Sequence, residues 1–332
     1  MSQPLEVHGL DVDLALSSGP VRAVRDVSLS VGRGETVCLV GESGSGKTLT
    51  ALALMRLLPQ VARWRADRMI IDGRDTATMS AREFRSVLGD RVAMVFQNPM
   101  AALNPVMRVG EQLLEAYLEH GRGSRDEGAA RAISLLERVG VPAPADRLRQ
   151  YPHQLSGGLR QRVMIAMALM CAPALVIGDE PTTALDVTMQ AQTLRLLKEL
   201  VADLGIGLLL ITHDLGVVSR VADRVAVMYG GRIVETAACA ELFAEPMHPY
   251  TRGLLDCSPA RATAGGFLSI PGEVPALSSD PQGCDFAGRC PSAGPSCRLE
   301  PPLQQLRSRR WRCTLDADRA RQAPSPARAL ER

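Results

Sequence analysis

Apolar residues come in short blocks along this chain. Thr36–Val40 is a mostly apolar run, too short for a helix and the right length for a buried strand. Glycines follow at 41, 44 and 46, and an apolar, helix-compatible stretch then continues to Leu58 and stops at Pro59. Residues 92–96 read as another buried strand, and from 105 to about 149 the pattern turns helical, with breaks at 121–123 and 142–144. Residues 175–177 form a buried strand running into Asp179 and Glu180, 187–204 an amphipathic helix, and 208–211 a strand ending at Thr212-His213. Residues 225–228 and 232–235 flank Gly230-Gly231 as the arms of a hairpin. Strands alternating with helices imply an α/β fold with a largely parallel sheet. Past Glu245 the pattern changes: prolines, glycines and cysteines are enriched over 246–302. From Leu303 onward eight arginines stand against three acids, which reads as a solvated tail in preference to a nucleic-acid arm.

Composition narrows the class. With 332 residues, 46% apolar and 22% charged, the chain is too apolar for disorder and long enough for one large domain or two. A net charge of +2 and 3% aromatics give no sign of a polyanion binder or a stacking platform for single strands. Only Lys47 and Lys198 are lysines, against a background of arginine. The longest uncharged stretches fall short of the roughly 20 residues that span a bilayer, and the first ten residues lack the pattern of a secretory signal. A cytoplasmic setting is therefore expected, where the eight cysteines would not be disulfides.

Gly41-Glu42-Ser43-Gly44-Ser45-Gly46-Lys47-Thr48 fits G-x-x-x-x-G-K-[ST] and lies between a strand and a helix, the setting a phosphate loop requires. The glycines let successive N–H groups turn toward phosphate oxygens, and the helix N-terminus adds its positive dipole end. Lys47 would supply a cation to the β- and γ-phosphates, and the Thr48 hydroxyl a ligand to Mg²⁺. A second constellation separates the many P-loop enzymes. Leu155-Ser156-Gly157-Gly158-Leu159-Arg160-Gln161-Arg162 opens an apolar helix with Ser156 as N-cap and two glycines that leave its end accessible to an anion. Asp179 and Glu180 end an apolar strand at its C-terminal edge, where α/β ligand sites lie.

These residues resemble the ATP-binding subunit of an ATP-binding cassette (ABC) transporter. Residues 155–162 are similar to the family's signature motif, with Leu159 where Met or Gln is commoner. Gln97 resembles the Q-loop, Asp179 and Glu180 the Walker B aspartate and catalytic glutamate, 184–186 the D-loop and His213 the switch histidine. The resemblance implies a P-loop α/β core over 1–245 with a helical subdomain at about 98–160. It implies ATP hydrolysis with Mg²⁺ held by Thr48 and, through water, by Asp179. Glu180 would orient the attacking water, and Gln97 and His213 would sense the γ-phosphate. Two cassettes would pair head to tail, so that Ser156, Gly157 and Gly158 act on ATP in the partner. The family usually stacks adenine on an aromatic residue before the P-loop; residues 1–40 contain none, and Val21 is the corresponding position. Translation-factor or DNA-repair cassettes, nucleotide kinases or GTPases, and purely regulatory nucleotide binders fit less well, lacking respectively a second cassette or coiled coil, an account of the signature motif, and a reason for Glu180 and His213.

Residues 246–255 (PMHPYTRGLL), 270–275, 283–286 and 289–291 closely resemble the C-terminal motif of oligopeptide and dipeptide importers, as does Gln97-Asn98-Pro99 with Leu103-Asn104-Pro105. This implies a peptide- or nickel-type importer. The chain would sit at the cytoplasmic face of the membrane with a second ATPase subunit, itself or a related chain, two transmembrane permease subunits and, indirectly, an extracytoplasmic solute-binding protein. Nucleic acid is not among the implied partners. Cys284, Cys290, Cys297 and Cys313 lie in this extension, separated by five, six and fifteen residues, without the tight pair of a zinc ribbon. In similar subunits such cysteines hold a [4Fe–4S] cluster; zinc, or four free thiols, are the alternatives. The extension has few large apolar side chains, so a metal centre is expected to order it, with Arg289 and Arg298 favouring the thiolates, in a structural role away from the ATP site.

Overall fold

Two long strands, β1 (Leu5–Leu16) and β2 (Gly19–Val31), precede the short apolar strand β3 (Thr36–Val40). Helix α1 (Lys47–Leu54) follows, then β4 (Ala62–Arg65), β5 (Arg68–Ile71), β6 (Arg74–Asp75), α2 (Ala81–Arg85) and β7 (Val92–Val95). A helical stretch comes next, with α3 (Pro99–Ala102), α4 (Val109–Glu119), α5 (Arg125–Arg138), α6 (Pro144–Arg147) and α7 (Gly157–Ala168). Strand β8 (Leu175–Asp179), helix α8 (Val187–Leu204), strand β9 (Gly207–Thr212) and helix α9 (Leu215–Val221) alternate before the hairpin β10 (Arg224–Tyr229) and β11 (Arg232–Ala238). The C-terminal part contributes α10 (Cys239–Ala244), α11 (Pro249–Asp256), β12 (Leu303–Leu306), β13 (Arg309–Arg312) and α12 (Ala317–Gln322). The structure, a computed structural model, describes residues 3–17, 19–183, 186–258, 268–275 and 282–327; the D-loop positions 184 and 185 lie outside them.

The chain forms two units, each built from separated stretches. The first comprises 1–5, 31–36 and 70–210. In it β7 and β8 run parallel, from Val92 opposite Leu175 to Val95 opposite Gly178. Every residue of β8 is buried, as expected of a parallel strand covered on both faces. Helices α4, α5 and α7 pack together beside it. Their starts are legible in sequence: the Glu127 amide donates to Ser124 Oγ and the Glu127 carboxylate accepts from the Ser124 amide, a capping box.

The second unit comprises 6–30, 37–69 and 211–332. Strand β10 pairs parallel with β3, Val225 opposite Cys38 and Val227 opposite Val40, and antiparallel with β11 through the expected hairpin, with a register shift at Val227/Met228. Strands β1 and β4 pair antiparallel, Val12 opposite Trp64, and escape a search for alternation because Gly9 interrupts the buried series Leu5, Val7, Leu10, Val12. Helix α1 ends at Leu54, before Leu58, because Arg56 turns into the left-handed region (φ 50°) and the Leu57 amide bonds back to the Leu52 carbonyl.

Residues 303–327 are not a solvated tail: β13 pairs with β11, Trp311 opposite Glu235, and β12 pairs with β13. Trp311, Met247, Cys313 and Ala320 make a buried cluster, and Tyr250 and Phe286 are fully buried, so the extension has an apolar core of its own. The arginines that suggested a tail meet acids from distant stretches: Arg309 bonds Glu245 at 2.9 Å and Arg312 bonds Asp26 at 2.7 Å. Among the described residues no helix is long and apolar enough to cross a membrane.

Candidate active site

The phosphate-loop residues are gathered in the second unit, between β3 and α1. Two glycines are required by close approach. A Cβ on Gly41 would lie 2.2 Å from the Met228 carbonyl oxygen; one on Gly46 would lie 2.8 Å from the Ala23 oxygen, at a φ of 102°. Gly46 caps α1 without any side-chain bond, which leaves the helix N-terminus open to an anion. The Lys47 ammonium is buried and donates to the Gly41 carbonyl at 2.9 Å, the Glu42 carbonyl at 2.8 Å and Ser45 Oγ at 3.3 Å. Ser43, Gly44 and Thr48 are exposed. The Gly231 amide donates to the Ser45 carbonyl, tying the β10–β11 turn to the loop. Val21 is half-buried on β2, beside Arg22, whose guanidinium bonds Asp11 at 3.1 Å.

In the first unit β8 delivers Asp179, buried, and then Glu180. Glu180 adopts a left-handed backbone (φ 47°), a conformation a non-glycine residue holds only when its surroundings impose it. Its Oε2 accepts from Gln97 Nε2 at 3.1 Å and from Thr183 Oγ1 at 2.9 Å, so the fold brings Gln97 to the expected glutamate. Ser156 caps α7, its Oγ accepting from the Leu159 amide, and Ser156 and Gly157 are exposed at that helix end. His213, in the second unit, is exposed at the end of β9; the cap of α9 is the next residue, Asp214, which accepts from the Gly216 and Val217 amides.

Several pairings at or near the phosphate loop are not announced by the sequence. The Glu42 amide donates to the Tyr250 hydroxyl at 2.8 Å, and the Glu42 carboxylate meets Arg289. Arg25, 2% exposed, meets Asp285 at 2.5 Å and the Gly230 carbonyl. Tyr229, Tyr250 and Phe286 pack ring against ring, with centroids 4.5–5.3 Å apart. Asp285 and Arg289 stand inside the importer-type motif, where Arg289 is expected to serve the cysteine thiolates; the motif is the signal that marks both. The extension therefore reaches the phosphate loop, contrary to the expected role away from it.

Cys284, Cys290, Cys297 and Cys313 line one small cavity together with His248 and Phe286. They share this space without converging on one point: among the described residues no group of three or more His, Cys, Asp or Glu side chains is set to hold a metal ion. Burial pushes the Cys284 thiol up to about 12 and the Cys290 thiol up to about 11, and raises Cys313. Arg289 does not favour the thiolates as expected, since its guanidinium is turned to Glu42.

A family profile described as "ABC transporter" matches residues 24–183, and one described as "Oligopeptide/dipeptide transporter, C-terminal region" matches 234–297. The dipeptide transport ATP-binding protein DppD of Bacillus subtilis is 47% identical over 310 residues, covering 93% of this chain and 92% of that protein. DppD of Escherichia coli is 48% identical, covering 91% and 93%. Among solved structures, a dimeric ATP-binding cassette in a post-hydrolysis state with ADP and Pi covers 71% of this chain and 98% of its own, at 26% identity and a TM-score of 0.62. A component of the cbiONQ ABC transporter complex of Clostridium perfringens covers 74% and 92%, at 27% identity and a TM-score of 0.61. Identity of this order along nearly the whole length, on a chain that closes its phosphate loop around Lys47 and ends β8 in Asp179 with Glu180 directly after it, means that the chain belongs to the ABC transporter ATPases, in the branch of the oligopeptide and dipeptide transport ATP-binding proteins.

Proposed function

We propose that this chain hydrolyses ATP to energise import of dipeptides or oligopeptides, working at the cytoplasmic face of the membrane. Its partners would be a second ATPase subunit, head to tail, two permease subunits and, indirectly, an extracytoplasmic binding protein. The observation that carries this reading is the likeness to dipeptide transport ATP-binding proteins along more than nine-tenths of each chain. In this reading 1–245 form the cassette, with its helical subdomain at about 98–160, and 246–332 the importer-type extension. Residues 41–48 cradle the triphosphate, and Val21 offers the purine an aliphatic surface. The hydroxyl of Thr48 and the carboxylate of Asp179 are hard oxygen donors suited to Mg²⁺, which would neutralise developing phosphate charge. Glu180 orients the attacking water, Gln97 and His213 sense the γ-phosphate, and Ser156, Gly157 and Gly158 face the nucleotide of the partner. The test is reconstitution with the permeases in vesicles. ATP turnover is expected to rise when a peptide-loaded binding protein is added. Stimulation by nickel-loaded protein alone would point to the nickel-type alternative, and turnover indifferent to the membrane partners would overturn the transport role.

The four cysteines are proposed to hold a [4Fe–4S] cluster, with Zn²⁺ as the alternative. Four soft sulfur donors line one cavity; either metal would have to draw them together, and its binding would release the thiol protons to solvent. Anaerobically purified protein is expected to be brown, with about four iron and four sulfide per chain. Cys290→Ser should remove the colour. Colourless protein with one zinc would leave the zinc reading, and metal-free protein would sink both.

A further inference from the structure

We propose that Arg289, in the C-terminal extension, is a positioning residue for ATP binding: it holds and neutralises the carboxylate that Glu42 carries within the phosphate loop. The proposal rests on the ATP-site reading above and goes beyond it. A loop that gathers a triphosphate has no evident use for an acid at its second position, because a carboxylate there opposes the incoming charge. Here that carboxylate is taken up bidentately. Arg289 Nη1 donates to Glu42 Oε2 at 2.6 Å and Nη2 to Oε1 at 3.0 Å, across 247 residues of sequence. The remaining donors are also engaged: Nη1 meets the Tyr229 hydroxyl at 3.3 Å, Nη2 the Ile270 carbonyl at 3.1 Å and Nε the Pro271 carbonyl at 3.0 Å. All five guanidinium hydrogens thus have an acceptor, a demand that only arginine meets. The side chain is 6% exposed and lies over the Tyr229 and Phe286 rings, each 5.9 Å from the guanidinium. The Tyr250 hydroxyl takes the Glu42 amide from the same side, so side chain and backbone of this loop residue are both fixed by the extension.

A neutralising role and a merely mechanical latch make different demands on Glu42. If charge is what matters, removing Arg289 exposes a repulsive carboxylate, and removing that carboxylate as well repairs the loss. If the contact is only a latch, the second change adds nothing. The experiment measures affinity for Mg²⁺-ATP in the full chain. Arg289→Ala is expected to weaken binding roughly tenfold or more, and Arg289→Ala with Glu42→Gln to recover to within about threefold of the wild type. The Arg289→Ala defect should also shrink in about 1 M salt, where the screening length falls to about 3 Å. Wild-type affinity in Arg289→Ala, or a defect that neither salt nor Glu42→Gln repairs, overturns the proposal. Should Arg289→Ala not fold, Arg289→Lys carries the test: charge retained without the fork should cost less than about threefold, and a larger loss counts against neutralisation. Lys47→Ala, measured alongside, separates the two levels, since unchanged affinity there would overturn the ATP site itself.

Discussion

Glu180→Gln is expected to leave ATP bound and nearly stop its hydrolysis. The glutamine fills the same space and keeps an oxygen for Gln97 Nε2 and Thr183 Oγ1, so the strained turn after β8 should persist. It cannot carry the negative charge or accept a proton from the attacking water. Loss of a general base typically lowers rates by about 10²–10⁴-fold, and that range is expected for single-turnover hydrolysis in the assembled transporter. Binding measured by retention of labelled ATP should be unchanged within a few-fold, because the proposed reading gives phosphate recognition to Lys47 and the loop amides. Turnover at the wild-type rate would assign the base to another residue.

The largest loss of stability is expected from Asp285→Ala. Arg25 is 2% exposed, and burial lowers its pKa while Asp285 opposes that shift. Two of its nitrogens, Nε and Nη1, have no hydrogen-bond partner, so the ion pair carries most of the compensation for a charge out of water. Removing one member of a buried pair costs about 3–5 kcal/mol, which for a chain of this size lowers Tm by roughly 4–7 °C. Replacing both members, Arg25→Met with Asp285→Leu, should return most of the loss, since apolar substitutes for a buried pair are often neutral. Thermal unfolding of the three proteins decides the matter: an unchanged Tm in Asp285→Ala would mean that water reaches Arg25 after all.

What the sequence disclosed about this molecule followed distance along the chain. Thr36–Val40, the glycines and the start of α1 are contiguous, and each position has a local reason, so strand, loop and helix were readable without a structure. The same holds for Ser124 with Glu127, which announce α5 over three residues. Arg25 and Asp285 are 260 residues apart, and nothing near either one marks it as half of a pair. The arginines after Leu303 looked unopposed because Glu241, Glu245 and Asp26 were too far away to be counted with them. The cysteines drew attention as ligands, so Arg289 was expected to serve them and not Glu42, and Asp285 carried no mark of its distant partner.

The way the second unit is stitched together also sets an order of events during synthesis. Strand β3 waits for β10, whose first residue is 224, and Glu42 waits for Arg289, 247 residues later. At roughly 5–20 residues per second, a ribosome needs on the order of ten to fifty seconds to supply that partner. Until then the nascent phosphate loop lacks both its neighbouring strand and its counter-ion. Fragments released before β10 is made should therefore gain little protection from ATP, and those cut at residue 245, which keep β10 but lack Arg289, should bind it about tenfold or more weakly than the full chain.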